Sequence, residues 1–296
     1  LVFIKVWVNH FVFSLVLQIY IFLIINMLVS IIFILYFYNM VMEFYKYQAT
    51  GNDFIIIDDR ENNFDIHDSS LIKSLCERKM GIGADGLILL RNHNEYDFRM
   101  MYFNCDGFES TLCGNGARCI VSFANLLEII RQQAIFMAID GVHEASITDD
   151  GVSIKFQNIQ NIDQDNKYLI IDSGSPHLVN IVDNVDKINV NLEGARIRNM
   201  QPYKKEGINI NFIEHDDDVK IRTYERGVES ETLSCGTGAV ASAIALYHLG
   251  FIEENIVSLI TKGGDLSVMF EEFNGMYRNI WLTGAVNLVY IGEFEC

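Results

Sequence analysis

The stretch "ESTLCGNGARC" at residues 109–119 sets a cysteine between a polar approach and two glycines, and "SETLSCGTGAV" at 230–240 does nearly the same again. Cys113-Gly114-Asn115-Gly116-Ala117 returns as Cys235-Gly236-Thr237-Gly238-Ala239, 122 positions later, and at the same offset Tyr102 meets Tyr224 and Glu109 meets Glu231. Nearer the start of each unit, "TGNDFIII" at 50–57 is echoed by "SGSPHLVN" at 173–180, an offset of 123. Self-similarity at a fixed period decides architecture before any local pattern does. The chain therefore reads as two related halves of about 120 residues each.

Local patterns agree between the halves. Val152, Ile154 and Phe156 alternate with Ser153 and Lys155, and Val219, Ile221 and Thr223 alternate with Lys220 and Arg222. Period-2 alternation of this kind marks a half-buried strand. "MEFYKYQATGNDFIIID" from Met42 reads as the first strand of a globular domain. "DSSLIKSLCERKMG" at 68–81 opens on capping residues and closes on glycine, the punctuation of a short helix. The apolar runs after the two Cys-Gly motifs, "ARCIVSFANLLEII" and "AVASAIALYHLGF", have helical length and period; the second is rich in small residues, which suits a helix buried on most sides. The expected fold is α+β: two pseudo-symmetric halves, each a mixed or antiparallel sheet wrapped around a central helix whose N-terminus carries the Cys-Gly motif.

Composition narrows the function. The 296 residues suffice for one large domain or two ordinary ones, and the net charge of −17 disfavours nucleic acid, whose affinity rests on neutralising phosphates. Six cysteines, Cys76, Cys105, Cys113, Cys119, Cys235 and Cys296, form no C-x-x-C pair and lack the paired spacing of a structural zinc site. Free thiols in a reducing compartment, the cytoplasm, are the expectation. Cys76 and Cys119 read as core.

Residues 1–41 stand apart. Between Lys5 and Glu43 no Asp, Glu, Lys or Arg occurs, so by length and apolarity the segment is a membrane-span candidate. A cleaved signal peptide fits less well, since the head carries one lysine and no small-x-small site follows. The favoured expectation is that translation begins at Met42 and the segment comes from an over-extended gene model, with a membrane anchor as the alternative. The expected division is 1–41, then 42–157 completed by 281–296, then 158–280.

A thiol at a helix N-terminus faces unpaired backbone N–H groups and the positive end of the helix dipole, which act to lower its pKa. The glycines admit a ligand close to the backbone, and the exposed N–H groups suit a carboxylate. Two such motifs facing each other would flank one bound anion with two thiols. A thiolate on one face then removes a proton from the carbon beside the carboxylate, a thiol on the other face returns one, and the stereocentre inverts. The helix N-termini would hold the negative charge that builds on the carboxylate. Neither a pyridoxal lysine nor a metal is required by this scheme.

At these residues the sequence resembles the diaminopimelate epimerases, cofactor-independent enzymes of lysine and peptidoglycan-precursor synthesis. "TGNDF" (50–54), "GIGADGL" (81–87), "FNCDG" (103–107), "LCGNGARC" (112–119), "GININF" (207–212), "YERG" (224–227) and "ETLSCGTGA" (231–239) match the family's motifs in order. The resemblance implies that Cys113 and Cys235 are the base and acid pair, converting LL-2,6-diaminopimelate to its meso isomer. It assigns the reacting end of the substrate to Gly114, Asn115, Gly236 and Thr237, and the distal end to Asn52, Asn104, Asn209, Glu225 and Arg226. A zwitterionic distal group needs a guanidinium and a carboxylate, which Glu225-Arg226 supplies from one turn. Ser175 stands where many members carry asparagine, and its hydroxyl reaches less far; Gly86 stands where some carry glutamine. His177 matches a histidine thought to assist activity, as Glu225 does, with a hydrogen-bonded structural histidine as the other reading. The resemblance also implies that the last strand, near "WLTGAVNLVYIGEF", returns to the first half, and a homodimer is the assembly it points to.

Proline and hydroxyproline epimerases share this chemistry, but typically carry histidine after the first Cys-Gly, where this chain has Asn115. Phenazine-biosynthesis isomerases lack both cysteines. From other classes come a membrane-anchored amino-acid-binding protein and a redox protein cycling a Cys113–Cys235 disulfide.

Overall fold

The structure, a computed structural model, describes residues 18–29, 41–165 and 167–295. By compactness the chain divides into residues 1–42 with 293–296, and residues 43–292. In the first unit, residues 18–29 form a helix, α1, whose apolar side chains are exposed. Among the described residues no helix is long and apolar enough to cross a membrane. The remainder of the expectations for residues 1–41 lies outside the described residues.

The expected first strand is instead a hairpin. β1 (Val41–Ala49) and β2 (Asn52–Asp58) pair antiparallel through a turn at Thr50 and Gly51, both at positive φ. Glycine takes that conformation at no steric cost, and here it reverses the chain in two residues. β3 (Gly86–Arg91), β4 (Phe98–Asn104), β5 (Gln133–Ala138), β6 (Gly141–Thr148) and β7 (Gly151–Phe156) follow. The second half contains β8 (Ile162–Asp165), β9 (Tyr168–Asp172), β10 (Pro176–Ile181), β11 (Asn209–His215), β12 (Val219–Glu225), the short β13 (Ser230–Thr232), β14 (Ile256–Thr261), β15 (Gly264–Phe273) and β16 (Met276–Gly284), before β17 (Asn287–Glu295).

The pairing sequence repeats between halves. β1 meets β2 antiparallel, β2 meets β3 parallel, β3–β4 is antiparallel, β4–β5 parallel, and β5–β6–β7 antiparallel. β9, β10, β11, β12, β14, β15 and β16 pass through the same series of senses. Register follows: Ile88 faces Tyr102 across β3–β4, and Ile210 faces Tyr224 across β11–β12. Each β2–β3 type crossover carries a short helix, α2 (Ser69–Cys76) in the first half and α4 (Val190–Arg198) in the second. Asp68 caps α2 and Asn189 caps α4, each side chain accepting a first-turn N–H. β7 pairs with β16, and β17 returns to β1, so one sheet surface is continuous through both halves.

Each half wraps a helix. α3 (Gly114–Leu126) buries Ile120, Phe123 and Ala124 against Phe54, Ile88, Phe98, Phe136 and Ile154. α5 (Gly236–His248) buries Ala243, Ile244 and Leu246 against Val179, Ile213, Leu259, Val268 and Ile280. Its residues from Gly238 to Leu246 are all buried, and small side chains let strands close around it. Burying a Leu, Ile or Phe contributes roughly 1.5–3 kcal/mol each. Phe156 packs against both cores. The α+β fold of two sheet-wrapped helical halves is the one the repeat implied.

Candidate functional site

The chain enters α3 at Cys113 and α5 at Cys235, each the N-cap residue in extended conformation, and neither side chain caps its helix. That leaves the first-turn N–H groups of both helices open to a ligand. The two first turns lie against one another. A Cβ placed on Gly236 would come within 2.8 Å of Leu282 Cδ2 and 4.0 Å of Asn115 Oδ1, and one on Gly114 within 3.6 Å of Phe156 Cζ and 4.0 Å of Leu282. Leu282 on β16 is the apolar wedge between the helix starts. The described cysteines are all free thiols.

Side-chain amides tie the first half's cysteine into place. Asn52 Nδ2 donates to Asp85 (2.6 Å), which turns its Oδ1 toward Asn115 Nδ2 (3.2 Å) and the Cys113 thiol (3.6 Å). Asn52 thus lies in contact with Cys113 and Asn115. Asn115 also donates to Ser234 Oγ (3.3 Å), the residue before Cys235, and Ser234 shares a proton with Thr50 Oγ1 (2.6 Å). Arg118 closes the ring, its Nη2 donating to Asn115 Oδ1 (2.5 Å) and Thr50 Oγ1 (3.1 Å).

In the second half a different chain of bonds reaches Cys235. Thr223 Oγ1 donates to Asn211 Oδ1 (2.9 Å), Asn211 Nδ2 meets His177 Nδ1 (2.9 Å), and His177 Nε2 meets Thr237 Oγ1 (2.8 Å). With the Asn211 amide in that orientation, Nδ1 accepts and Nε2 carries the proton. Thr237 Oγ1 then lies 3.4 Å from Cys235 Sγ, free to donate to it. His177 is fully buried, and burial holds its pKa down to about 3, so it is neutral at ordinary pH.

Of the residues expected at the distal end, Asn209 and Arg226 gather around Ser175. Asn209 Nδ2 donates to Ser175 Oγ (2.9 Å) and Pro176 O (3.1 Å), Arg226 Nη2 reaches the same hydroxyl (3.3 Å), and the Arg226 N–H donates to Asn209 Oδ1 (2.8 Å). Ser175 is therefore held by both neighbours despite its short reach. Asn104 accepts from Tyr102 Oη (2.8 Å), and Glu225 is half-buried beside the exposed Arg226. Burial, with the Asp85 charge, raises the Glu225 carboxyl.

The thiols differ from expectation. Burial pushes Cys113 up to about 11, against the downward pull of the Gly116 and Asn115 N–H groups and the Arg118 charge, with Glu225 adding to the rise. Cys235 is pushed up further, again by burial first and then Glu225, against the Thr237 hydroxyl and Gly238 N–H. The helix-terminus effect is present in direction, but removing a thiolate from water outweighs it.

Several participants escape sequence reasoning. Asp85 and Asn211 sit inside quoted motifs, "GIGADGL" and "GININF", yet their roles are to orient Asn52 and His177, which no spacing reveals. Tyr102 was visible only as a repeat match with Tyr224. Its phenol is raised chiefly by burial, with the neighbouring Cys113 next in effect. Cys105 is exposed, while Cys76 and Cys119 are buried as expected.

Among solved structures, a phenazine biosynthesis protein of the PhzF family from Bacillus anthracis superposes with a TM-score of 0.68 at 14% identity, covering 86% of this chain and 99% of that one. A hydroxyproline epimerase from Agrobacterium vitis does so with a TM-score of 0.61 at 12% identity, over 87% and 93%. These likenesses define the fold class: a two-half α+β architecture shared with both of those proteins. The family model for diaminopimelate epimerase matches residues 44–158 and 169–289. The diaminopimelate epimerase of Flavobacterium psychrophilum is 47% identical over 252 residues, covering 84% of this chain and 98% of that protein. That of Aquifex aeolicus is 37% identical over 275 residues, covering 86% and 98%. The chain belongs to the diaminopimelate epimerase family, a family of isomerases.

Proposed function

We propose that this protein interconverts LL- and meso-diaminopimelate by proton transfer between Cys113 and Cys235, serving lysine and peptidoglycan-precursor synthesis. The observation that carries the reading is the pair of cysteine-entered helices whose open first turns meet around Leu282.

The substrate's reacting carboxylate lies against the N–H groups at Gly114–Asn115 and Gly236–Thr237, and its α-carbon between the two sulfurs. One cysteine, as thiolate, takes the α-proton; the electron pair left on carbon delocalises into the carboxylate, where both helix termini stabilise it. The opposite thiol delivers its proton to the other face. The sulfur that began as thiolate ends as thiol, and its partner the reverse, so charge and protons balance. Burial of both thiols means that ionisation has to be matched by positive charge, and the substrate's α-ammonium brings one unit of it into the site. At the far end Arg226 receives the second carboxylate and Glu225 the second ammonium, with Asn209, Ser175 and Asn104 completing the polar cradle. Neutral His177 orients Thr237 toward Cys235. Residues 42–157 with 281–296 form one half in this reading and 158–280 the other; the return of β17 to β1 supports it, while β16, which spans the boundary, joins the two.

The test is α-deuterium uptake and optical rotation followed together on LL-diaminopimelate in deuterated water under reductant, with proline in parallel. Uptake with loss of rotation on diaminopimelate alone is expected; silence from folded, reduced protein would overturn the proposal, and turnover of proline would move the substrate.

A further inference from the structure

Arg118 is completely buried. Among the described residues its Nε and Nη1 have no hydrogen-bond partner, and no carboxylate lies within ion-pair distance of it. Only Nη2 is engaged, by Asn115 and Thr50. β16 accommodates the guanidinium only because position 284 is glycine, where a Cβ would overlap Nη1. An unpaired buried cation is among the more expensive features a fold can carry, and removing it in favour of an apolar chain is commonly stabilising. Its retention calls for a negative charge that is present only part of the time.

The site generates such a charge one helical turn away. Arg118 bonds Asn115, Asn115 bonds Asn52, and Asn52 accepts from the Cys113 thiol. When that proton leaves, Asn52 Oδ1 offers the sulfur nothing. Besides the Gly116 and Asn115 backbone N–H groups, the groups that then bear on the thiolate are the Cys119 thiol and Arg118 from α3, the Tyr102 phenol from β4, Glu225 from β12 and Cys235 from the start of α5. Arg118 is the one cation among them. Burial brings it down to about 10, which leaves it charged near neutral pH. The second half has no counterpart: at the repeat offset of 122 the residue is Val240, also fully buried.

We infer that Arg118 is a positioning residue: the resident counter-charge against which Cys113, ahead of Cys235, ionises before substrate enters. The inference rests on the reading of these cysteines as the proton-transfer pair, but its test reads thiol ionisation and does not depend on turnover.

The intact protein is alkylated with iodoacetamide across pH, and Cys113 and Cys235 are followed separately by peptide mass spectrometry. In the unsubstituted protein Cys113 reaches its thiolate-dependent rise at lower pH than Cys235; the reverse order would overturn the inference without any variant. In Arg118→Met, labelling of Cys113 at pH 8 falls about tenfold, the equivalent of one pKa unit, while Cys235 changes less than twofold. Arg118→Lys restores most of the Cys113 rate. Circular dichroism verifies the fold of each variant. Equal changes at both cysteines, or none at Cys113 in a folded Met variant, would remove Arg118 from this role. Loss of diaminopimelate turnover with the labelling pattern intact would instead count against the proposed reaction alone.

Discussion

The first turns of α3 and α5 start alike and are surrounded differently. Both begin at an uncapped cysteine followed by Gly-x-Gly, yet Cys113 bonds the Asn52 amide, which Asn115 and behind it a buried guanidinium back, whereas Cys235 is approached by a hydroxyl that a neutral histidine orients. Backbone symmetry supplies two equivalent anion-binding helix ends. Side-chain asymmetry makes the two thiols unequal, so that in the proposed reaction a substrate meets a different sulfur on each face.

The largest test of that pairing removes one thiol at a time. Cys113→Ser and Cys235→Ser should each lower epimerisation by about 10²–10⁴-fold, the usual reach of a proton-transferring side chain. An unimpaired variant in the deuterium assay would break the two-sulfur comparison outright. Next comes the distal asymmetry, where Arg226 occupies the repeat position of Asn104. Replacing Arg226 with methionine should raise KM for diaminopimelate about 10–100-fold, as expected for a lost charged hydrogen bond of roughly 1.5–3 kcal/mol. A change confined to kcat would place Arg226 elsewhere in the reaction.

The glycines sharpen the packing difference. Gly236→Ala drives a methyl to 2.8 Å from Leu282, while Gly114→Ala meets only ordinary contacts at 3.6 Å and beyond. Thermal or urea unfolding should show the first costing about 1–3 kcal/mol and the second costing little, with Leu282→Ala partly relieving the first. Equal costs would mean that the wedge does not discriminate between the helix ends.

The smallest effect concerns His177. Its pKa is about 3 in the fold and near 6.5 unfolded, so the unfolded chain binds more protons between those values. Its contribution to stability is complete above pH 6.5 and declines as pH falls toward 3. His177→Asn should therefore flatten the acid limb of the stability curve by about 1–2 kcal/mol at pH 5 relative to pH 7. An unchanged slope would show that His177 is already charged in the folded state.

Much of this was legible from the repeat. Two copies of Cys-Gly-x-Gly-Ala at one offset predicted two helices with the same entry, and the strand senses repeat around them as they should. The short helix after Asp68 was readable from its cap, though it stops at Cys76, before the glycine. α4 was not anticipated, because "VNLEGARIR" has only a faint apolar face; its partner Tyr224 packs where Gly194 leaves room. The hairpin at Thr50–Gly51 was read through as one strand, since both flanks are apolar and Thr-Gly is a weak turn signal.

What is periodic or local can be read along the chain: the halves, their helices, the cysteines at the helix starts and the motifs that carry the family likeness. What depends on long-range neighbours emerged with folding. Asn52 presents its carbonyl to Cys113 because Asp85, 33 residues away, takes its amide N–H. The thiols rose in pKa where a helix N-terminus alone would have lowered them, because burial takes them out of water. Helix dipoles act within a turn and are written in the local chain, whereas desolvation is set by everything that packs around a group, and that is known only once the chain has folded.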